Sequence, residues 1–277
     1  MKESAATGAT KQPGLVRRAV LLAGLGWGVA PGVTTAAPTP KAWLDYERRL
    51  QARAADAGGG RFEAALAQEV LDLTNRARTR AGVSRLAWSE PLALTARAHA
   101  ADLAARSYVE HLSPEGFDPS HRSALLARLL IGSPSENIGY RRHARPSTAA
   151  DFIALWRGSP PHWKNLLRPT HTVAGYGVVR SGERFYAVGL YARPAGELAE
   201  PLPLAVHEEA QVRPRVQDPL QVRGFVLTDP LTEAFKDAFR PGESPRRLTP
   251  GAYQLRPQRP AGNRLLESLW GPIFVRL

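Results

Sequence analysis

His111-Leu112-Ser113-Pro114-Glu115-Gly116, Glu136-Asn137-Ile138-Gly139 and Trp156-Arg157-Gly158-Ser159-Pro160-Pro161-His162-Trp163-Lys164-Asn165 are three short clusters within one stretch of a 277-residue chain. Between them they carry two imidazoles, a carboxylate and a serine that could share chemistry. Neutral imidazole and carboxylate are ordinary zinc ligands, and two His with one Glu is a ligand set of zinc hydrolases. His111, Glu136 and His162 are far apart along the chain, so nothing local forces them together.

The flanking sequence supplies the scaffold. Phe62, Leu66, Val70, Leu73 and Ala77 form one apolar stripe at helical spacing, and Gly82 stands where a C-terminal cap is wanted. Ser89 followed by Glu90 and Pro91 suits an N-cap. The next stripe, Leu92, Ala96, His99 and Leu103, makes His99 a core histidine. A third helix is expected over 121–131, and a fourth over 147–157 with Ala149, Phe152, Ile153 and Trp156 on one side. After His162 the period becomes that of strands, at 173–180 and 183–191, with Ser181-Gly182 as the turn. Gly175, Gly177 and Gly189 mark places where another backbone packs closely. Helices followed by an antiparallel hairpin suit a layered α+β domain.

In their order and spacing the three clusters resemble the CAP superfamily, named for cysteine-rich secretory proteins, antigen 5 and pathogenesis-related proteins, in its compact cysteine-free bacterial branch. The resemblance covers residues 64–193 and sets the domain at 61–195. It implies an α-β-α sandwich with a small antiparallel sheet between helices. It also implies that His111, Glu136 and His162 point into one cleft and hold a divalent cation, zinc or another, with no organic cofactor. Many relatives carry a second glutamate just past the helix tryptophan; here Ser159 stands in that place and one strong ligand is gone. Ser159 and Asn137 complete the expected cleft, Asn137 by fixing backbone through its side chain. Trp156 and Trp163 are expected in the core or the cleft wall.

Residues 1–37 read as an export signal, in which Lys11, Arg17 and Arg18 precede an apolar run and then small residues. The run is too short and too rich in Gly for a span of about 20 apolar residues. Arg17-Arg18 fits a twin-arginine signal and a Sec signal alike. The expected location is extracellular or periplasmic, with no permanent membrane span once the signal is removed. There is no cysteine, which excludes disulfides, a lipidated cysteine and a thiol nucleophile. The net charge is +12, and 32 of the 37 basic residues are arginine. They are scattered and no aromatics alternate with them, which argues against a nucleic-acid partner and leaves diffuse attraction to anionic lipid or cell-wall polymer.

Residues 38–60 read as a tether with a short helix on Trp43, Tyr46, Leu50 and Ala54, ended by Gly58-Gly59-Gly60. Residues 196–277 read as a short Pro-rich accessory module with buried aromatics. Strands are expected there at 221–228 and 273–277, with a helix capped by Asp229-Pro230 and carrying Leu231, Phe235 and Phe239. Two functions fit the cleft. One is a binding module for a lipid, a sterol-like molecule or a cell-envelope fragment, with or without a metal. The alternative is a zinc-dependent extracellular peptidase or esterase with Glu115 as general base, although such sites usually need a separate acid/base group. A Ser159–His162–Glu136 triad is a further arrangement, without the G-x-S-x-G elbow that often accompanies one.

Overall fold

The computed structural model describes residues 38–277 apart from 218, 219, 263 and 264, so the expected export signal lies outside the described residues. Thr39 accepts the Ala42 N–H with its side chain and opens α1 (Pro40–Ala55), whose first turn holds Pro40. The stripe Trp43, Tyr46 and Leu50 is buried against Phe117, Leu125, Ile273 and Val275. Residues 38–60 are therefore no tether. The helical spacing is real, but the partners that bury it come from distant parts of the chain.

After β1 (Arg61–Phe62) comes α2 (Ala64–Arg80). Phe62, expected on the helix stripe, pairs with Val179 in the sheet instead. Gly82, at φ +70°, ends α2: its N–H bonds to Thr79 O and the Val83 N–H to Arg78 O, a Schellman pattern. Next are β2 (Ala87–Trp88), α3 (Glu90–Arg106) and α4 (Pro119–Leu126). The helix expected over 121–131 stops at Leu126 because β3 (Leu130–Ile131) pairs with a later strand. The remainder of this region is β4 (Ser135–Arg142), α5 (Ala149–Arg157), α6 (Pro160–Leu166), β5 (Val173–Ser181), β6 (Arg184–Ala192) and β7 (Gly196–Glu197), the partner of β3.

The main sheet runs β1-β5-β6-β4, all antiparallel, with β2 lying parallel beside β5. On one face α2 and α5 bury Val70, Phe152 and Trp156 against Tyr176, Phe185 and Tyr191. On the other, α3 buries Leu92, Ala96 and Leu103 against Ile138, Val188 and Leu190. This is the α-β-α sandwich that the family resemblance implies. A Cβ on Gly175 would lie 2.1 Å from Ala93 N, and one on Gly177 would lie 2.3 Å from Arg97 N. Only glycine lets the α3 backbone rest on the strand at these points.

The C-terminal region is β8 (Ala205–Val206), β9 (Gly224–Thr228), β10 (Phe235–Phe239), β11 (Gly251–Pro260), β12 (Leu266–Ser268) and β13 (Ile273–Arg276). They form a second sheet, β10-β9-β11-β13-β8, with β12 on β11. The expected helix after Asp229-Pro230 is absent. Asp229 Oδ1 accepts the Leu231 and Thr232 N–H groups in a turn, and Phe235–Phe239 returns as a strand against β9. An aspartate that caps a helix and one that closes an Asx-turn make the same bond, so the local signal reads both ways. Phe225–Phe239 and Tyr253–Phe274 stack at centroid distances of 5.5 Å in the core of this sheet. His121 Nε2–H donates to Pro230 O at 3.0 Å and Arg128 to Ile273 O at 2.8 Å, tying the second sheet to α4 and the loop after it. Among the described residues no helix is long and apolar enough to cross a membrane.

Candidate functional site

Alternation along β4 decides which layer each side chain meets. Glu136 shares the α3 side of the sheet with Ile138, while Asn137 points to the α6 side. The Glu136 side chain is 1% exposed and makes two charged contacts. Oε1 accepts His111 Nδ1–H at 2.8 Å, and Oε2 accepts a guanidinium N–H of Arg122 at 2.9 Å. Arg122, on α4, is fully buried and also donates to the main-chain oxygens of Phe117 and His111, both at 3.0 Å. His99, on α3, lies 4.0 Å from Glu136 Oε2 and donates Nε2–H to Glu110 O.

The charges follow from this packing. Burial alone would raise the Glu136 carboxyl, but the Arg122 charge, helped by the His111 bond, outweighs it and holds the group at about 2. The same bond raises the His111 imidazole above its ordinary range. Burial first, and then the Arg122 charge, push His99 down to about 3, so it is a neutral inner wall. The buried carboxylate thus has a guanidinium as its permanent cation and an imidazole as its titratable one.

His162 and Ser159 form a second pair. Ser159 at the α6 N-cap makes no side-chain cap bond. Its hydroxyl lies 2.8 Å from His162 Nδ1 instead. Burial, and then the nearby His111 charge, lower the His162 pKa. Asn137 Nδ2–H donates to His162 O at 3.0 Å, Asn165 donates to Asn137 Oδ1 at 3.0 Å, and Ser135 donates to Asn165 Oδ1 at 2.7 Å. This amide ladder seats α6 against β4. Trp156 donates to Ile138 O from the core, and Trp163 sits half-buried beneath Arg157.

The fold therefore joins His111 to Glu136 directly and Ser159 to His162 directly, with the two histidines close enough to feel each other's charge. It does not join Glu136 to His162, so the Ser159–His162–Glu136 triad is not formed. Glu115 is bound at 2.9 Å by both Arg49 and Arg106. Burial pushes the Glu115 carboxyl up, but the Arg106 bond and the Arg49 charge together outweigh it and keep the group below its usual range, which unsuits it as a general base.

A three-ligand metal set does not fit these donors. Both Glu136 oxygens are engaged, one by a guanidinium that stays protonated, and Ser159 supplies no carboxylate. Among the described residues no group of three or more His, Cys, Asp or Glu is placed to hold an ion. Sequence reasoning missed Arg122 and Asn165, and it placed His99 in the core without its proximity to Glu136. Nothing in the spacing separates Arg122 from the other arginines.

The fold is an α-β-α sandwich with a His111/Glu136 pair at one sheet edge. Residues 71–191 match the model of the cysteine-rich secretory protein family, CAP. The uncharacterized protein YkwD of Bacillus subtilis is 30% identical over 115 residues, 42% of this chain and 43% of that protein. The uncharacterized membrane protein YlbC of the same organism is 31% identical over 118 residues, 41% of this chain and 31% of its own length. The chain thus spans less than half of either relative. An extracellular protein of Bacillus anthracis containing an SCP domain is similar in structure at 27% identity, with a TM-score of 0.39 over 47% of this chain and 41% of that one.

Proposed function

We propose that this chain is an exported binding module whose cleft receives a lipid with an anionic headgroup and breaks no bond. The observation that carries the reading is His111. Its side chain is 52% exposed, Glu136 fixes its Nδ1–H, and that bond favours the charged imidazolium. A cationic donor beside the Ser159 hydroxyl and the His162 imidazole suits a phosphate, which takes charge-assisted hydrogen bonds. The net charge of +12 adds diffuse attraction toward anionic membranes. The charged, apolar, small-residue order of residues 1–37 and the family's description as secretory support export. In the alternative, a zinc-dependent hydrolase, Glu136 would have to give up Arg122. Breaking such a buried pair costs about 3–5 kcal/mol, which weighs against that reading.

The test is co-sedimentation with phosphatidylglycerol vesicles, with phosphatidylcholine vesicles as the control, at physiological salt. His111→Gln should weaken binding to the anionic vesicles several-fold, while Arg142→Gln, at an exposed surface position, should change it little. Equal losses in both variants would reduce the interaction to bulk charge. Binding to an insoluble wall polymer in place of vesicles would reassign the ligand.

A further inference from the structure

On the side of β5 away from β6, two short strands pair with its ends. β2 covers Val173 and Ala174, β1 covers Val179 and Arg180, and Gly175 to Gly177 have no strand beside them. Ser89 N–H bonds to Ala174 O and Glu63 N–H to Val178 O, so the same alternation aims the Tyr176 N–H and C=O into the gap. The gap opens into a cavity of about 330 Å³ between α2 and α3, within the range of about 300–1,000 Å³ typical of ligand pockets. Phe62, Trp88 and Tyr176 give it aromatic walls, and Ala93 and Val178 keep its interior apolar.

Arg97 and Glu90 are the charged side chains bordering this space, and among the described residues Arg97 forms no salt bridge. Arg97 lies over the Phe62 ring at 5.4 Å, and among the described residues its buried Nε has no hydrogen-bond partner. The Glu90 carboxylate is held toward the Trp88 indole, whose N–H it accepts at 2.8 Å, and Glu63 pairs with Arg61. Gly177 fixes where Arg97 stands, because a Cβ there would collide with the Arg97 backbone. Apolar walls ending in the Arg97 guanidinium complement a molecule with an aromatic body and a carboxylate head.

We infer that this sheet-edge cavity is a second binding site, taking a small aryl-alkyl carboxylate whose ring lies among Phe62, Trp88 and Tyr176 and whose carboxylate meets Arg97. The site lies at the β5 edge, whereas the His111 cleft lies at β4, the opposite edge of the sheet. It therefore stands independently of the headgroup reading above.

The test is calorimetric titration of the intact protein with 4-phenylbutyrate and with its uncharged analogue 4-phenylbutanamide. The acid should bind saturably at one site, and at least about tenfold more tightly than the amide, the scale of a charge-assisted bond. Arg97→Gln should bring the acid down to the amide's affinity and leave the amide unchanged. Ala65→Trp, at the exposed lip of the cavity, should abolish binding of both. His111→Gln should leave both affinities intact. No saturable binding, or equal affinity for acid and amide in the unaltered protein, overturns the assignment without any variant having to fold.

Discussion

Replacing Arg122 by Met probes the buried charge set around Glu136. Arg122 is fully buried and donates to Glu136 Oε2, Phe117 O and His111 O. Its loss leaves the Glu136 carboxylate in an almost solvent-free site with only the half-exposed His111 as partner. Breaking a buried pair in this way costs about 3–5 kcal/mol. Two carbonyl oxygens also lose a donor, at about 1–3 kcal/mol each if left unsatisfied. These costs share one site and overlap, so about 4 kcal/mol is the expected loss for Arg122→Met. For a protein of this size that lowers the melting temperature by roughly 10 °C. Urea unfolding at neutral pH measures it, with Glu136→Gln and the double variant completing a cycle. The double variant should recover at least about 2 kcal/mol relative to the summed single losses, since it removes both charges together. A loss below about 1 kcal/mol for Arg122→Met, or strict additivity in the cycle, would refute the buried pair.

Other predictions follow from the same geometry. The His111 imidazole, followed by NMR, should titrate above the ordinary value of 6.5 and fall back toward it in Glu136→Gln; an unchanged midpoint would remove the Glu136 bond from the account. Because that pKa is raised on folding, the bond's contribution to stability is full below about pH 6.5 and fades as pH rises through the folded value. His99 has the opposite sign. Depressed to about 3 by burial, it stays neutral while the unfolded chain takes up a proton, so stability falls as pH drops from about 6.5 toward 3. The ceiling is roughly 1.4 kcal/mol per pH unit, and His99→Gln should flatten that slope in pH-dependent urea melts. Gly177→Ala should cost about 1–3 kcal/mol or more, because its Cβ would press on the α3 backbone. Unaltered stability would mean that α3 does not rest there.

The parts of this fold legible in the sequence are those whose signals are local. The α2 stripe and its Gly82 cap, the Ser89 start of α3, and the β5–β6 hairpin can each be read from a dozen neighbouring residues. α1 was misjudged because its apolar stripe is buried by Phe117, Leu125 and Ile273, which no local pattern reveals. Asp229-Pro230 misled because turn and helix start use the same side-chain bond. The meeting of His111 with Glu136 was available only through family resemblance, and its buried cation was not available at all. Arg122 is one of 32 arginines, and only tertiary burial sets it apart.

The central claim is that Glu136 is committed to Arg122 and His111 and is not free to ligate an ion. Calorimetric titration of the metal-free protein with zinc chloride at neutral pH tests it most directly. The account predicts no saturable micromolar site, and a heat signal unchanged in Glu136→Gln. Stoichiometric binding of one zinc, lost in His111→Ala, Glu136→Gln and His162→Ala alike, would contradict it.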